Sequence, residues 1–186
     1  MSLRIEGYAI VSDDGMLADA AGVMPPSLHV EADQRFLSSG LDRADIIVHG
    51  RHSHENQPQS PTRRRLIASR TVETLGPAPE LPNAVLWNPA GLPLEQAMEA
   101  VDVEGGLVVI LGGTEIFGLF LPRYDAFYLS RAKGVTLPGG RPVFPQVPER
   151  NPEDILAAAG LVAGPQQTLD AQRGATLVAW ERAGKP

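Results

Sequence analysis

Short apolar runs alternate with amphipathic stretches along most of the chain. Residues 7–12 are apolar and run into Asp13-Asp14-Gly15, the pattern of a buried strand that ends in a turn. Residues 16–28 hold Gly22, Pro25 and Pro26 and read as a long loop, of a length that is often functional in compact domains. Over residues 30–41, Ala32, Phe36 and Leu37 share one helical face, and Gly40 stands where that helix would stop. Strands are predicted at 45–49 ("DIIVH"), 65–69 ("RLIAS"), 84–87, 107–111 and 124–130, with a proline- and serine-containing loop at 56–62. Helical spacing recurs at 92–101 and from 114 to about 121. A Gly/Pro-rich connection spans 138–148. Two last elements follow, at 155–161 and 175–180, the second a strand. Turn signals at Asp170 and Gly174 predict an antiparallel C-terminal hairpin.

This alternation predicts an α/β fold with helices on both faces of a mostly parallel sheet, and ligands outside the carboxyl ends of its strands. Three strands end in small or polar residues there: Asp13-Asp14-Gly15, His49-Gly50-Arg51 and Gly112-Gly113. The chain has 186 residues, enough for one domain with a substantial core, so residues 1–186 are expected to form a single unit. A net charge of -6 disfavours a general nucleic-acid role. The sequence has no cysteine, which excludes disulfides, thiolate metal sites and cysteine nucleophiles and fits a cytoplasmic location. No apolar run reaches membrane-spanning length, and residues 1–15 do not have the pattern of a signal peptide.

Four motifs carry candidate chemistry. In "VVILGGTEIF", two glycines follow a buried strand directly; without a Cβ the backbone admits a close ligand, and Thr114 stands where it can cap the next helix. A tight turn needing glycine for geometry alone reads equally well, and the three-glycine dinucleotide spacing is absent. In "HGRHSHE", Arg51 with His52 and Ser53 at a helix start offers a cation and donors to a pyrophosphate. A solvated polar loop is the simpler account. His49, His52 and His54 do not share a helical face, so no metal site is expected. In "TRRRLIASR", Ser69 and Arg70 lie past a strand end, where a hydroxyl and a guanidinium together can meet a phosphate monoester. An ordinary basic strand flank gives the same pattern. In "HVEADQRF", Glu31 and Asp33 are two apart near a helix start, so only one faces inward. Either is a candidate acid, and either would also complement the helix dipole with no further role.

In this order the pieces resemble the dihydrofolate reductase fold family, which includes dihydrofolate reductases and the reductase domain of riboflavin biosynthesis. The match covers roughly residues 5–147, most specifically "IIVHGRHSHE", "RLIASR", "VVILGGTEIFGLFLPRYDAFYLSR" and "RPVFP". The resemblance implies a three-layer sandwich and NADPH along the carboxyl edge of the sheet. Leu111, Gly112, Gly113, Thr114, Glu115, Ile116 and Phe117 would serve the nicotinamide and pyrophosphate, and Gly50, Arg51, His52 and Ser53 would hold the pyrophosphate and help at the 2′-phosphate. Ser69 and Arg70 would complete a 2′-phosphate site, and Ala9, as a cofactor-binding residue, with the loop 13–24 would border the nicotinamide and the substrate. The implied reaction is hydride transfer to a small heterocycle of pteridine or pyrimidine type, with Asp33 or Glu31 as acid, by a monomer or homodimer.

The chain departs from the family where the substrate would sit. Met24-Pro25-Pro26 stands where dihydrofolate reductases carry Pro-Trp, while "SDDGMLAD" and "LDRADIIVHGRHS" lean towards the riboflavin-type reductases. Their reduction of 5-amino-6-(5-phosphoribosylamino)uracil is one alternative. A diverged, non-catalytic nucleotide-binding protein is another.

Overall fold

The computed structural model describes residues 2–53 and 55–184. In chain order its elements are β1 (Leu3–Val11), β2 (Met16–Ala18), α1 (Glu31–Arg43), β3 (Ile46–Gly50), β4 (Arg65–Ala68), β5 (Leu75–Pro77), β6 (Ala84–Trp87) and α2 (Leu94–Glu99). There follow β7 (Gly106–Ile110), α3 (Thr114–Leu119), β8 (Ala126–Ala132), β9 (Arg141–Pro142), α4 (Pro152–Ala158), β10 (Leu161–Ala163), β11 (Gln167–Asp170) and β12 (Ala175–Arg182). Short 3-10 turns occupy Pro26–Leu28 and Ser60–Thr62.

The main sheet runs β10-β12-β8-β1-β7-β3-β4-β6-β5, with β11 paired to β12. Strands β8, β1, β7, β3, β4 and β6 are parallel; β12 joins β8 antiparallel, and β5 joins β6 antiparallel. The expected mostly parallel sheet and antiparallel C-terminal hairpin are therefore present. The strands are buried on both faces, so their apolar positions run on rather than alternate with polar ones. In β3 and β7, Ile46, Val48, Val108 and Ile110 face a core shared with Leu94 and Met98 of α2, Phe117 of α3, and Ile155 and Leu156 of α4. The intervening Ile47 and Val109 face the opposite side, with Tyr8, Leu41, Phe36 and Leu37 under α1. One helix thus covers one face and three cover the other.

Several expectations need correction. Residues 16–28 are not wholly loop: Met16 and Ala18 are buried either side of Leu17, and this alternation lets β2 pair with β9. Gly40 does not end α1, which continues to Arg43. It lies inside the helix because the Tyr8 ring packs there; a Cβ at this position would stand 2.5 Å from Tyr8 Cζ. The short β5, containing a glycine and a proline, carries no apolar periodicity that would predict a strand there. Residues 155–161 divide between α4 and β10. Asn151 caps α4 by accepting from the Asp154 N–H at 2.7 Å.

A charged network lies beneath α1. Glu6, buried at the centre of the sheet, accepts from Arg4 Nε at 2.8 Å and from the Tyr8 hydroxyl at 2.8 Å. Arg43 reaches both Tyr8 Oη (3.1 Å) and Glu6 (3.4 Å). A buried carboxylate is stable only when its acceptor sites are filled. Tyr8→Phe removes one donor and should cost about 1–2 kcal/mol. Scanning calorimetry should register a melting temperature lowered by roughly 4 °C; an unchanged value would show the hydroxyl to be dispensable.

Candidate functional site

Parallel pairing brings the carboxyl ends of β1, β7, β3 and β4 to one edge of the sheet, where a cleft of about 610 Å³ opens. That volume suits a cofactor head group and a small substrate. On the strand-end side it is lined by Ala9, Leu111, Gly113, Thr114, His52 and Ser53. On the α1 side stand Tyr8, Asp33, Phe36, Leu37, Tyr128 and Ser130. Leu17, Ala18, Gly22, Met24, His29 and Arg141 form the outer wall, and Glu55, Asn56 and Gln57 one end.

The glycine pair joins two strand ends. The Gly50 N–H donates to the Gly112 carbonyl at 2.5 Å, and a Cβ on Gly50 would stand 3.3 Å from the Gly113 nitrogen. Gly112 has φ +88°, a region that favours glycine, and a Cβ there would enter the ring of Phe117. The Gly112–Gly113 peptide is cis. Gly113 is the N-cap of α3 without a capping side chain. Thr114 does not cap this helix: it is already helical, and its hydroxyl donates to the Pro142 carbonyl at 2.5 Å, tying α3 to β9.

Residues 51–53 form a turn rather than the expected helix start, closed by the Ser53 N–H on the Gly50 carbonyl at 3.2 Å. The turn still delivers His52 and Ser53 to the cleft, and Ser53 Oγ lies 3.3 Å from where a Gly113 Cβ would be. Arg51 and Arg70 are exposed outside the cleft wall. Ser69 is buried beside β4, bonded to Thr71 Oγ1 at 2.8 Å. Gly50 pairs with Ala68, so Arg51, Ser69 and Arg70 follow neighbouring strand ends along the same edge. Glu115 is exposed outside the cleft, and Ile116 packs against the core. Phe117 touches the cleft but is mainly a core ring, edge-on to Phe127 at 5.4 Å.

Of the two candidate acids, Asp33 is the one in the cleft. It is half-buried, and burial raises its carboxyl above the usual value of 3.8 against the opposing effect of a hydrogen bond with Ser130. Glu31 is exposed and paired with Arg35 one turn along the helix. The 3.6-residue period separates them: Asp33 shares its face with Phe36 and Leu37, which also line the cleft.

Sequence reasoning missed the aromatic floor. Tyr8, Phe36 and Tyr128 pack with ring centroids 4.7–5.7 Å apart. Spacing from Asp33 would have found Phe36, but the two tyrosines come from β1 and β8 and meet only through strand pairing. Glu55 was also missed; its carboxylate is bound by Arg65 and lies 3.1 Å from Arg63, and burial of the group is outweighed by these bonds, so its pKa is lowered. Among the described residues no group of three or more metal-ligating side chains is present, and His54 lies outside them. His49 is buried, with Nδ1 2.7 Å from the Gly50 carbonyl oxygen, and is not part of the cleft wall. No helix among the described residues is long and apolar enough to cross a membrane.

No protein-family model matches the chain, and no curated protein matches its sequence. Solved structures do resemble it. One is a protein named for riboflavin biosynthesis from Shewanella sp. PV-4, at 18% identity and a TM-score of 0.66, covering 97% of this chain and 99% of that one. Another is the dihydrofolate reductase of Enterococcus faecalis complexed with NADP(H) and RAB-propyl, at 15% identity and a TM-score of 0.65, covering 97% and 96%. Over nearly its whole length the chain therefore has the dihydrofolate reductase-like fold.

Proposed function

We propose that this fold serves here as an NADPH-dependent reductase acting on a planar nitrogen heterocycle of pteridine or pyrimidine type. One observation carries the reading: a single cleft holds the bare backbone of Gly113, which abuts the β3 end at Gly50, together with a half-buried carboxyl, Asp33, supported by Ser130. The glycines suit a nicotinamide cofactor, since a Cβ on Gly113 would approach Ser53 Oγ to 3.3 Å and narrow the cradle. The bound NADP(H) of the similar Enterococcus faecalis structure supports the same cofactor class.

NADPH would supply the hydride, that is, both electrons and one hydrogen. The rest falls to the protein. A ring nitrogen beside the reduced carbon must gain a proton as the hydride arrives. Asp33 would hold that proton on a carboxyl oxygen, because its burial favours the neutral acid, and pass it to the nitrogen. Ser130 would orient the carboxyl. Tyr8, Phe36 and Tyr128 would take the flat face of the ring and exclude water.

Calorimetric titration tests the cofactor. NADPH is expected to bind about tenfold or more tightly than NADH, because Arg51, Ser69 and Arg70 offer charge-assisted donors to a 2′-phosphate. Equal affinity would remove those three residues from the site. No binding of either at millimolar concentration would sink the reading. Binding without turnover of any dihydropteridine or pyrimidine substrate would make this a nucleotide-binding protein instead.

A further inference from the structure

The charges in the cleft wall are not matched equally. Asp33 has Ser130, and Glu55 has Arg65 and Arg63. Arg141 supplies the one guanidinium in the wall among the described residues. Among the described residues its side chain has no hydrogen bond or ion pair with the protein. Arg141 is exposed, so its charge is open both to solvent and to whatever enters the cleft, in a chain of net charge -6.

The backbone of Arg141 is fixed by strand pairing, and its exposed side chain makes one close packing contact. Its backbone pairs with Ala18 across β2 and β9. Its side chain lies flat on Gly22: a Cβ there would be 2.7 Å from Nε and 2.8 Å from both Cζ and Nη2. Gly22 has φ +79°, and its turn is fixed by the Gly22 N–H on the Asp19 carbonyl. The Ala21 and Val23 N–H groups bond Asp19 Oδ1, each at 2.9 Å. The contact with Gly22 sets the exposed guanidinium of Arg141 at the cleft wall. Its planar fork matches two oxygens of a phosphate or carboxylate.

We propose that Arg141 is the specificity-determining residue of the cleft: it binds an anionic substituent, phosphate or carboxylate, on the heterocycle that is reduced. This deepens, and rests on, the reductase reading above. The anion belongs to the reactant rather than to the cofactor, because Arg141 comes from the β2–β9 clip that forms the outer wall with Ala18 and Gly22. The cradle proposed for the cofactor is the strand-end side of the cleft, at His52, Ser53 and Gly113.

The test uses inorganic phosphate, ribose 5-phosphate and uncharged ribose as probes. Their affinities are measured by NMR titration on the free protein and on the protein saturated with NADP+, for the wild type, Arg141→Met and Arg141→Lys. Methionine keeps an unbranched stem to pack against Gly22 while removing the charge. Ribose 5-phosphate should bind the NADP+-saturated wild type, about tenfold more weakly to Arg141→Met, with an intermediate loss for Arg141→Lys. Ribose should not distinguish the three, and NADP+ affinity should be the same in all. Equal ribose 5-phosphate affinities, or no binding to the wild type, would overturn the proposal. A selective loss of NADP+ affinity in Arg141→Met would also overturn it, by giving the residue to the cofactor. If NADP+ binds no variant while ribose 5-phosphate still depends on Arg141 in the free protein, the reductase reading falls and the anion site stands.

Discussion

Replacing Asp33 with Asn is expected to cut turnover at pH 7 by about a hundredfold or more, while making the protein more stable at that pH. The two effects share one cause. Burial raises the Asp33 carboxyl above 3.8 in the folded state. The folded protein therefore holds this proton more tightly than the unfolded chain does. The stability linked to the group is complete below its ordinary value and is lost as pH rises through the raised folded value. At pH 7 the wild type carries that loss, and asparagine, which does not titrate, escapes it. Asparagine also has no carboxyl proton to give. Activity followed at the NADPH absorbance should fall with rising pH in the wild type and lose that limb in the variant. Glu31→Gln is the control; an exposed group paired only with Arg35 should change the rate by less than about twofold. A larger effect from Glu31→Gln than from Asp33→Asn would move the acid to Glu31, and no effect from either would remove the acid altogether.

Gly112→Ala should destabilise the fold by about 3 kcal/mol and weaken NADPH binding with it. Two penalties act together. The backbone at φ +88° disfavours any side chain, and the new methyl would enter the Phe117 ring. That ring cannot yield easily: it is 1% exposed and packed against Phe127 and Phe144 at centroid distances of 5.4 and 6.3 Å. Any relief must come from the backbone, which would disturb the Gly50 N–H bond to Gly112 and the cradle beside it. Thermal unfolding should show a drop of roughly 10 °C. A variant that melts with the wild type would show that the glycine is not needed for geometry.

The sequence made most of the sheet legible because buried parallel strands are short apolar runs bounded by turn residues, as at 45–50 and 107–113. It showed the glycine pair for the same reason. It failed where the deciding fact was tertiary. Gly40 looked like a helix stop because the partner that demands a glycine, Tyr8, sits in another element. Glu31 and Asp33 could not be separated until the start of α1 fixed which one turned inward. Thr114 looked like a cap, but its hydroxyl goes to Pro142, 28 residues away. Arg141 stood in a Gly/Pro-rich connection with no local signal, and only the β2–β9 pairing brings it to the cleft.

The placement of β1 has a kinetic consequence. The first strand of the chain lies in the interior of the sheet, where Leu3 pairs with Gly106 and Glu6 with Ala126. Strand β8 is in turn covered only when β12, near the end of the chain, folds back on it. A ribosome would therefore expose β1 long before either neighbour exists, with its apolar faces and hydrogen-bonding edges open. Closing such distant pairs requires large loops to order before any contact rewards them, which places folding in the slow, millisecond-to-second class of sheet proteins. Chaperone dependence in the cell should accordingly concentrate on the first strand.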